Sequence, residues 1–385
     1  MSASPFVIAI DVDGDGAHPS AWRVADHAPA ELLTASTVAA RVAEAERAGF
    51  SIVTFDDGPL SPSTHPDISA RIDAVQRAAF VSPLTGAIGL VPVVNAVYTE
   101  PFHVATQLAS LDIAAAGRAG WIVSSDADVR IAHAYGRSAV AAATARERAT
   151  DAIEVARRLW DSWEDDAVIR DAATGRYLDR DKLHYAEFEG SDYSIVGPSI
   201  VPRSPQGQLP VFGPAGLAGQ AELDVALLDA DAVATDTATD AEAVIAAVAS
   251  AVDGLRASGV PRLLLELEVI LDHAGTPAER RLRELDRHTP WFSTGRARFA
   301  GDAGTLVDLL AGLTGLVDGV RLHPAVLHID GEELGRAVLP ALRARGLFSS
   351  PRPGDTLRDS LGLPRPDNRF AAAGTLVGAA GKEQS

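Results

Sequence analysis

The chain has 385 residues, 47% of them hydrophobic, which is enough for one large buried core. Its 34 Lys and Arg against 52 Asp and Glu give a net charge of -18, a field that repels nucleic acid and anionic membrane surfaces. Cysteine is absent, which excludes disulfides, thiolate nucleophiles and thiolate metal sites.

The opening stretch MSASPFVIAIDVDGDG has no basic segment ahead of its apolar run and meets Asp11 and Asp13. It reads as a first strand, Phe6–Val12, rather than a signal peptide. No apolar run is long enough to span a bilayer, so the expected location is the cytoplasm. Leu33–Gly49 follows as a helix with Gly49 as its stop, then Ser51–Asp57 as a strand, Pro66–Phe80 as a helix and Leu84–Val94 as a strand. Pro101–Ala116 is a helix, Ala119–Ser125 a strand, Ser138–Trp163 a long helix and Leu209–Pro214 a strand. The pattern then predicts a helix over Gly216–Leu228, a short strand at Ala232–Thr235, a helix over Ala241–Ala257 and a strand at Arg262–Leu271. Gly304–Leu316, Val317–Pro324 and Gly331–Arg345 close the series as helix, strand and helix.

This alternation argues for parallel strands joined by helical crossovers. Eight strand candidates with their helices fit an α/β fold of the (β/α)8 barrel type. An open doubly wound sheet is the rival. Its usual glycine-rich turn is only weakly matched by DVDGDG at Asp11–Gly16, whose spacing is wrong and whose acids would repel a phosphate. Residues 1–349 read as one barrel domain. Two polar segments, 164–208 and 272–301, read as insertions, and such insertions at strand ends build active-site walls. DAATG at Asp171–Gly175 marks a hairpin in the first. Residues 350–385 read as a C-terminal extension, with Ala371–Ser385 a loose tail or an arm on a neighbouring subunit.

Catalysis in barrels sits at the carboxyl ends of strands. Asp56 and Asp57 end the second strand, where a carboxylate can accept hydrogen bonds from a heterocycle or simply cap a turn. GPAGLAG at Gly213–Gly219 joins strand to helix, as a phosphate cradle or a tight turn. His323, before Pro324 at a strand end, is the candidate for substrate contact or proton transfer. His103 reads as a helix residue and His65 as a helix start. Trp160 and Trp163 read as packing anchors. No histidine pair with a carboxylate has metal-ligand spacing, so no metal site is expected.

Several motifs recur in a familiar order: GFSIVTFDDG at Gly49–Gly58, VYTEPFHVATQLASLDIAAAGR at Val97–Arg118, AGW at Ala119–Trp121 and LWDSW at Leu159–Trp163. PRSPQG at Pro202–Gly207, VLPALRARGLF at Val338–Phe348 and LRDSLGLPRPDNR at Leu357–Arg369 follow. In these the chain resembles the luciferase-like flavin monooxygenases, in the branch with the nitrilotriacetate and dibenzothiophene-sulfone monooxygenases.

The resemblance implies a luciferase-like (β/α)8 barrel, homodimeric or homotetrameric. It implies reduced FMN supplied by a separate NAD(P)H:flavin reductase, used with O2 to oxygenate a small organic substrate. By the same resemblance the cofactor-binding positions fall at Asp57, Asn95, Ala96, Arg146, Gly216 and Leu217. The chain departs from the family at Ile122 (for a polar amide), Ala142 (for His), Arg146 (for Tyr) and Leu217 (for Ser). Arg146 supplies a guanidinium suited to phosphate. Two other readings share the barrel: a non-catalytic protein with an eroded flavin site, and a deazaflavin-dependent oxidoreductase.

Overall fold

The computed structural model describes residues 6–57, 71–230, 233–235 and 238–371. Eight parallel strands close a ring. In ring order they are β1 (Val7–Asp11), β2 (Ile52–Phe55), β3 (Gly89–Asn95), β4 (Trp121–Ser124), β9 (Val211–Pro214), β10 (Val225–Leu228), β12 (Arg262–Leu271) and β14 (Gly319–Pro324), with β14 pairing back onto β1. Helices α1 (Ala35–Ala48), α2 (Ala74–Val81), α3 (Pro101–Ala114), α5 (Ala142–Asp161), α6 (Ala238–Ala257) and α8 (Ala303–Leu313) lie among the crossovers. The ring is the (β/α)8 barrel that the alternation implied, and the open sheet is excluded by the β10–β12 pairing. No described helix is long and apolar enough to cross a membrane.

Local chemistry sets the element ends. Thr34 caps α1 by accepting from the Thr37 amide, and Gly49 ends it at φ 93, in the left-handed region that glycine occupies at no steric cost. Asp73 caps α2 in the same way. The rest of the helix expected over Pro66–Phe80 includes residues outside the described ones.

The first insertion holds an antiparallel hairpin, β5 (Val168–Asp171) and β6 (Arg176–Leu178), and a smaller one, β7 (Phe188–Glu189) and β8 (Ser194–Ile195). The second holds α7 (Ala278–Asp286) and ends in β13 (Ala297–Gly301), which extends the sheet beside the outer half of β12.

One element differs in kind from the sequence expectation. Residues 216–228 do not form a helix. Ala215–Leu217 is a single 3-10 turn and Val225–Leu228 is the sixth strand of the ring. The segment expected as that strand is β11 (Val233–Thr235), which pairs with β13 outside the ring. The β9-to-β10 crossover is therefore residues 215–224, short for a parallel connection. Leu217 and Leu223 plug the space a helix would fill, and Arg157 of α5 fastens the loop through the Glu222 carbonyl (2.7 Å) and Asp224 (2.8 Å).

Strand pairing fixes which side chains point inward. The lower interior is apolar: Val7, Ala9, Ile52, Val91, Val93, Ile122, Phe212, Val225, Leu227 and Leu264 form one cluster with Leu357, Leu361 and Leu363. The segment expected as a C-terminal extension thus closes the barrel floor with its described part. Gly89 and Gly120 make the room, since a Cβ on either would sit 2.8 Å from Leu357. Residues 372–385 lie outside the described ones.

Replacing the floor plug, Leu357→Ala, leaves a cavity at the end of the barrel. We expect a loss of about 2–5 kcal/mol of stability, read from the urea unfolding midpoint at constant m. An unchanged midpoint would mean that the floor is not packed as described.

Candidate active site

Above the apolar layers the inward positions turn polar. The register carries Asp11, Thr54, Asn95, Ser124, Glu266, Arg321 and His323 toward the carboxyl ends of their strands. A cavity of about 470 Å³ opens there, in the size range of small-molecule sites. Asp56, Asp57, Asn95, Ile122, Ser124, Asp126, Asp229, Glu266, Arg296 and Arg321 are among its lining residues.

Arg321 is buried at the centre of this layer. Its Nε donates to Thr54 Oγ1 (2.9 Å), Nη1 to Glu266 Oε1 (3.2 Å) and Nη2 to Asp11 Oδ1 (3.2 Å), while Thr54 Oγ1 donates onward to Asp11 (2.9 Å). Burial opposes the charge, but Glu266 and Asp11 hold Arg321 protonated more firmly than a free guanidinium. Burial alone would raise Glu266. Arg321, with the His323 contact, overcomes it and holds the carboxyl well below its usual range. His323 Nε2 bonds the other Glu266 oxygen, Oε2. Burial first, then Arg296 and Arg321, pushes the imidazole down to about 4, so it sits neutral beside the carboxylate and donates to it.

The β2 rim carries a second charged group. Asp13 takes Arg71 (2.5 Å) and Arg77 (2.6 Å), and Arg77 also donates to the Asp56 carbonyl. Burial, and then Asp13, raises the Asp56 carboxyl. The side chain of Asp56 accepts from the Asp57 amide at 2.9 Å, which sets the backbone turn that leaves Asp57 at the cavity wall.

The structure brings some of the expected site residues together and separates others. Asp57 and Asn95 both line the cavity. Asn95 is largely spent on its own loop: Nδ2 donates to the Asp126 carbonyl (2.8 Å) and Oδ1 accepts from the Val97 and Tyr98 amides (2.9 and 3.1 Å). Ala96 points its methyl outward into the core between strands and helices. Arg146 lies half-buried in α5, which starts at the same end of the barrel, and makes no ion pair among the described residues. Gly216 is exposed at the 3-10 turn, and Leu217 is fully buried in the outer core. His323 is buried behind Glu266 and does not line the cavity. Among the described residues, no group of three or more His, Asp and Glu could hold a metal ion.

Glu266, Arg296 and Arg321 were not singled out in the sequence. Two of them had a signal. Glu266 and Glu268 alternate inside an otherwise apolar strand, and Arg321 and His323 share one face of β14 at the same period, so charge is placed on the inner face of the barrel.

The profile of the family described as luciferase-like monooxygenase matches residues 16–310. The chain is 28% identical to N-acetyl-S-(2-succino)cysteine monooxygenase of Bacillus subtilis (strain 168), over 94% of this chain and 98% of the relative. It is 28% identical to dibenzothiophene-sulfone monooxygenase of Rhodococcus erythropolis, over 90% of this chain and 93% of the relative. The solved structure of riboflavin lyase with modified FMN and riboflavin superposes with a TM-score of 0.78 at 21% identity, covering 95% of this chain and 97% of that one, a likeness of fold.

A neutral buried His323 makes a signed prediction. Its native pKa lies below the unfolded 6.5, so between about pH 4 and 6.5 the unfolded chain binds more protons at this residue. Its contribution to stability is therefore full above that window and lost as pH falls through it. His323→Gln should show a smaller stability difference between pH 7 and pH 5 than the wild type in parallel denaturant titrations. Equal pH slopes would mean that the imidazole is not held neutral.

Proposed function

Because the chain belongs to the luciferase-like monooxygenase family, we propose that it is a reduced-FMN-dependent monooxygenase of a small organic substrate, using O2, with its flavin supplied by a separate NAD(P)H:flavin reductase. We place it with the nitrilotriacetate and dibenzothiophene-sulfone branch, as a cytoplasmic homodimer or homotetramer. Exposed Phe80, Leu84 and Ile113, on and beside α2 and α3, support self-association.

The reading rests on an open cavity at the carboxyl ends of the strands with Asp57 in its wall. That space is not filled by the side chains of the described residues, and its polar rim and apolar floor at Val93, Ile122 and Leu227 suit a flat heterocycle with one polar edge. Asp57 would accept from the ring's N–H edge. The phosphate tail would meet the start of α5. Ala141 provides no side-chain cap there, so the first amides of this 20-residue helix keep their donors, and Arg146 adds a guanidinium one turn on. Gly216 leaves its backbone open beside the rim. When bound, reduced flavin supplies the two electrons that activate O2.

The chain's own part is to orient and to exclude water. Asn95 pins the Asp126–Tyr98 loops over the β3–β4 rim, and Ile131 of α4 (Val129–Ala134) lines the cavity from above. Arg321, fixed by Thr54, Glu266 and Asp11, gives the cavity a preset polar wall without needing to move. His323 acts through Glu266 as a positioning residue.

Anaerobic titration with reduced FMN should raise the melting temperature, and Asp57→Ala should weaken that binding about tenfold or more. Added flavin reductase and NAD(P)H should then support substrate oxygenation. Stabilisation by deazaflavin alone would transfer the barrel to hydride transfer. No response to either cofactor would leave a non-catalytic barrel.

A further inference from the structure

We infer that Arg296 is a specificity residue that receives a carboxylate of the substrate, so that the cavity selects carboxylate-bearing organic molecules; this rests on the monooxygenase reading of the same cavity. Arg296 sits at the end of the second insertion, on the connection from β12 to β13, and lines the cavity with its side chain 29% exposed. Its nearest acid is Glu266, at 3.8 Å from Nε, beyond hydrogen-bond length. Glu266 is already engaged by Arg321 on one oxygen and His323 on the other. Among the described residues the Arg296 guanidinium makes no side-chain hydrogen bond. It therefore faces the cavity as a charged fork whose side-chain donors hydrogen-bond none of the described residues.

The position is held rather than flexible. Two residues before it, Thr294 Oγ1 donates to Glu268 Oε1 at 2.7 Å. Two residues after it, Arg298 donates from Nε to Glu268 Oε2 at 2.8 Å, bonds the Trp291 carbonyl at 3.0 Å and lies 4.0 Å over the Trp291 ring. Both flanks are thus tied to one buried carboxylate, and Arg296 is presented between them. A guanidinium so placed loses little entropy on binding, and its planar fork matches a carboxylate in a way a lysine cannot.

The two cationic side chains of the described lining stand on one wall. In the eight-strand ring β3 stands four strands from β12. The wall around it, at the ends of β2 and β4, carries Asp56, Asp57 and Asp126 and no cation among the described lining residues, whereas the β12–β14 side carries Arg296 and Arg321 with Glu266. Asp229, after β10, is the one acid outside the Glu266 cluster on the Arg296 side. With the flavin ring on Asp57, the cation left for a substrate carboxylate is Arg296, because Arg321 is already met by Glu266 and Asp11.

The test is a thermal-shift titration of the full chain at fixed ionic strength. Succinate and citrate are the probes and succinamide is the uncharged isostere, each with and without saturating reduced FMN under anaerobic conditions. Succinate or citrate should stabilise the wild type and succinamide should not. Arg296→Gln should weaken the carboxylate at least tenfold, with Arg296→Lys intermediate. Arg280→Gln, which removes an equal charge from the exposed face of α7 outside the cavity, should leave carboxylate binding within twofold. Equal carboxylate affinity in wild type and Arg296→Gln, or equal response to succinamide, overturns the inference. The flavin arm is read separately, so FMN binding with unchanged carboxylate affinity sinks only this inference. Loss of FMN binding with the Arg296 dependence intact sinks only the monooxygenase reading.

Discussion

A guanidinium buried inside a barrel must be met by acceptors, and that demand from Arg321 organises the whole mouth of this protein. An unpaired buried charge costs several kcal/mol, so its neighbours are committed. Asp11 and Thr54, from β1 and β2, are spent on it from one side and Glu266 from the other. Glu266, fixed in turn, takes His323, and the imidazole becomes a neutral donor instead of a free acid or base. The acids of the DVDGDG loop have partners too, since Asp13 binds Arg71 and Arg77 and Asp15 binds Arg41 at 2.8 Å. What remains open to a ligand is what this web does not consume.

The barrel was readable from the sequence because fully buried strands of a parallel sheet are continuous apolar runs bounded by turn residues. The same property misled at Val225–Leu228. Its VALL is buried on both faces, follows AGLAGQAEL and has helical spacing and helix-forming composition. Periodicity cannot separate a short buried strand from a helix segment. Only the pairing of Val225 with Phe212 and Arg262 decides it, and pairing is a long-range fact.

The site was legible in part for a related reason. Asp57 follows a strand end, where position marks it, whereas Asn95 is marked only by the family resemblance. Arg296 could not be found that way. It lies in an insertion whose path depends on Thr294 and Arg298 reaching Glu268, and nothing local predicts that reach. His323 stands near the carboxyl end of β14, but one layer of depth separates it from the cavity, and depth along a barrel axis is set by neighbours' register.

PRSPQG, the most specific of the motifs, lies away from the cavity lining. Ser204 and Gln206 bond Asp112, a carboxyl that burial pushes up to about 6, and Arg203 bonds Asp161 at 2.9 Å and Asp165 at 3.1 Å. Arg358 reaches the Gln208 carbonyl at 2.8 Å, and Asn368 bonds the Asp161 and Trp163 carbonyls. The motif therefore locks the first insertion, the LWDSW helix end and the floor plug into one piece. The motif thus serves the frame, whereas the proposed selectivity falls to the few mouth residues left over after Arg321 has been satisfied. The two can change independently. The fastening keeps the plug seated and the strand ends in register whatever the cavity holds. A substituted residue on the β12–β13 connection can then alter which molecule is accepted without loosening the frame that presents it.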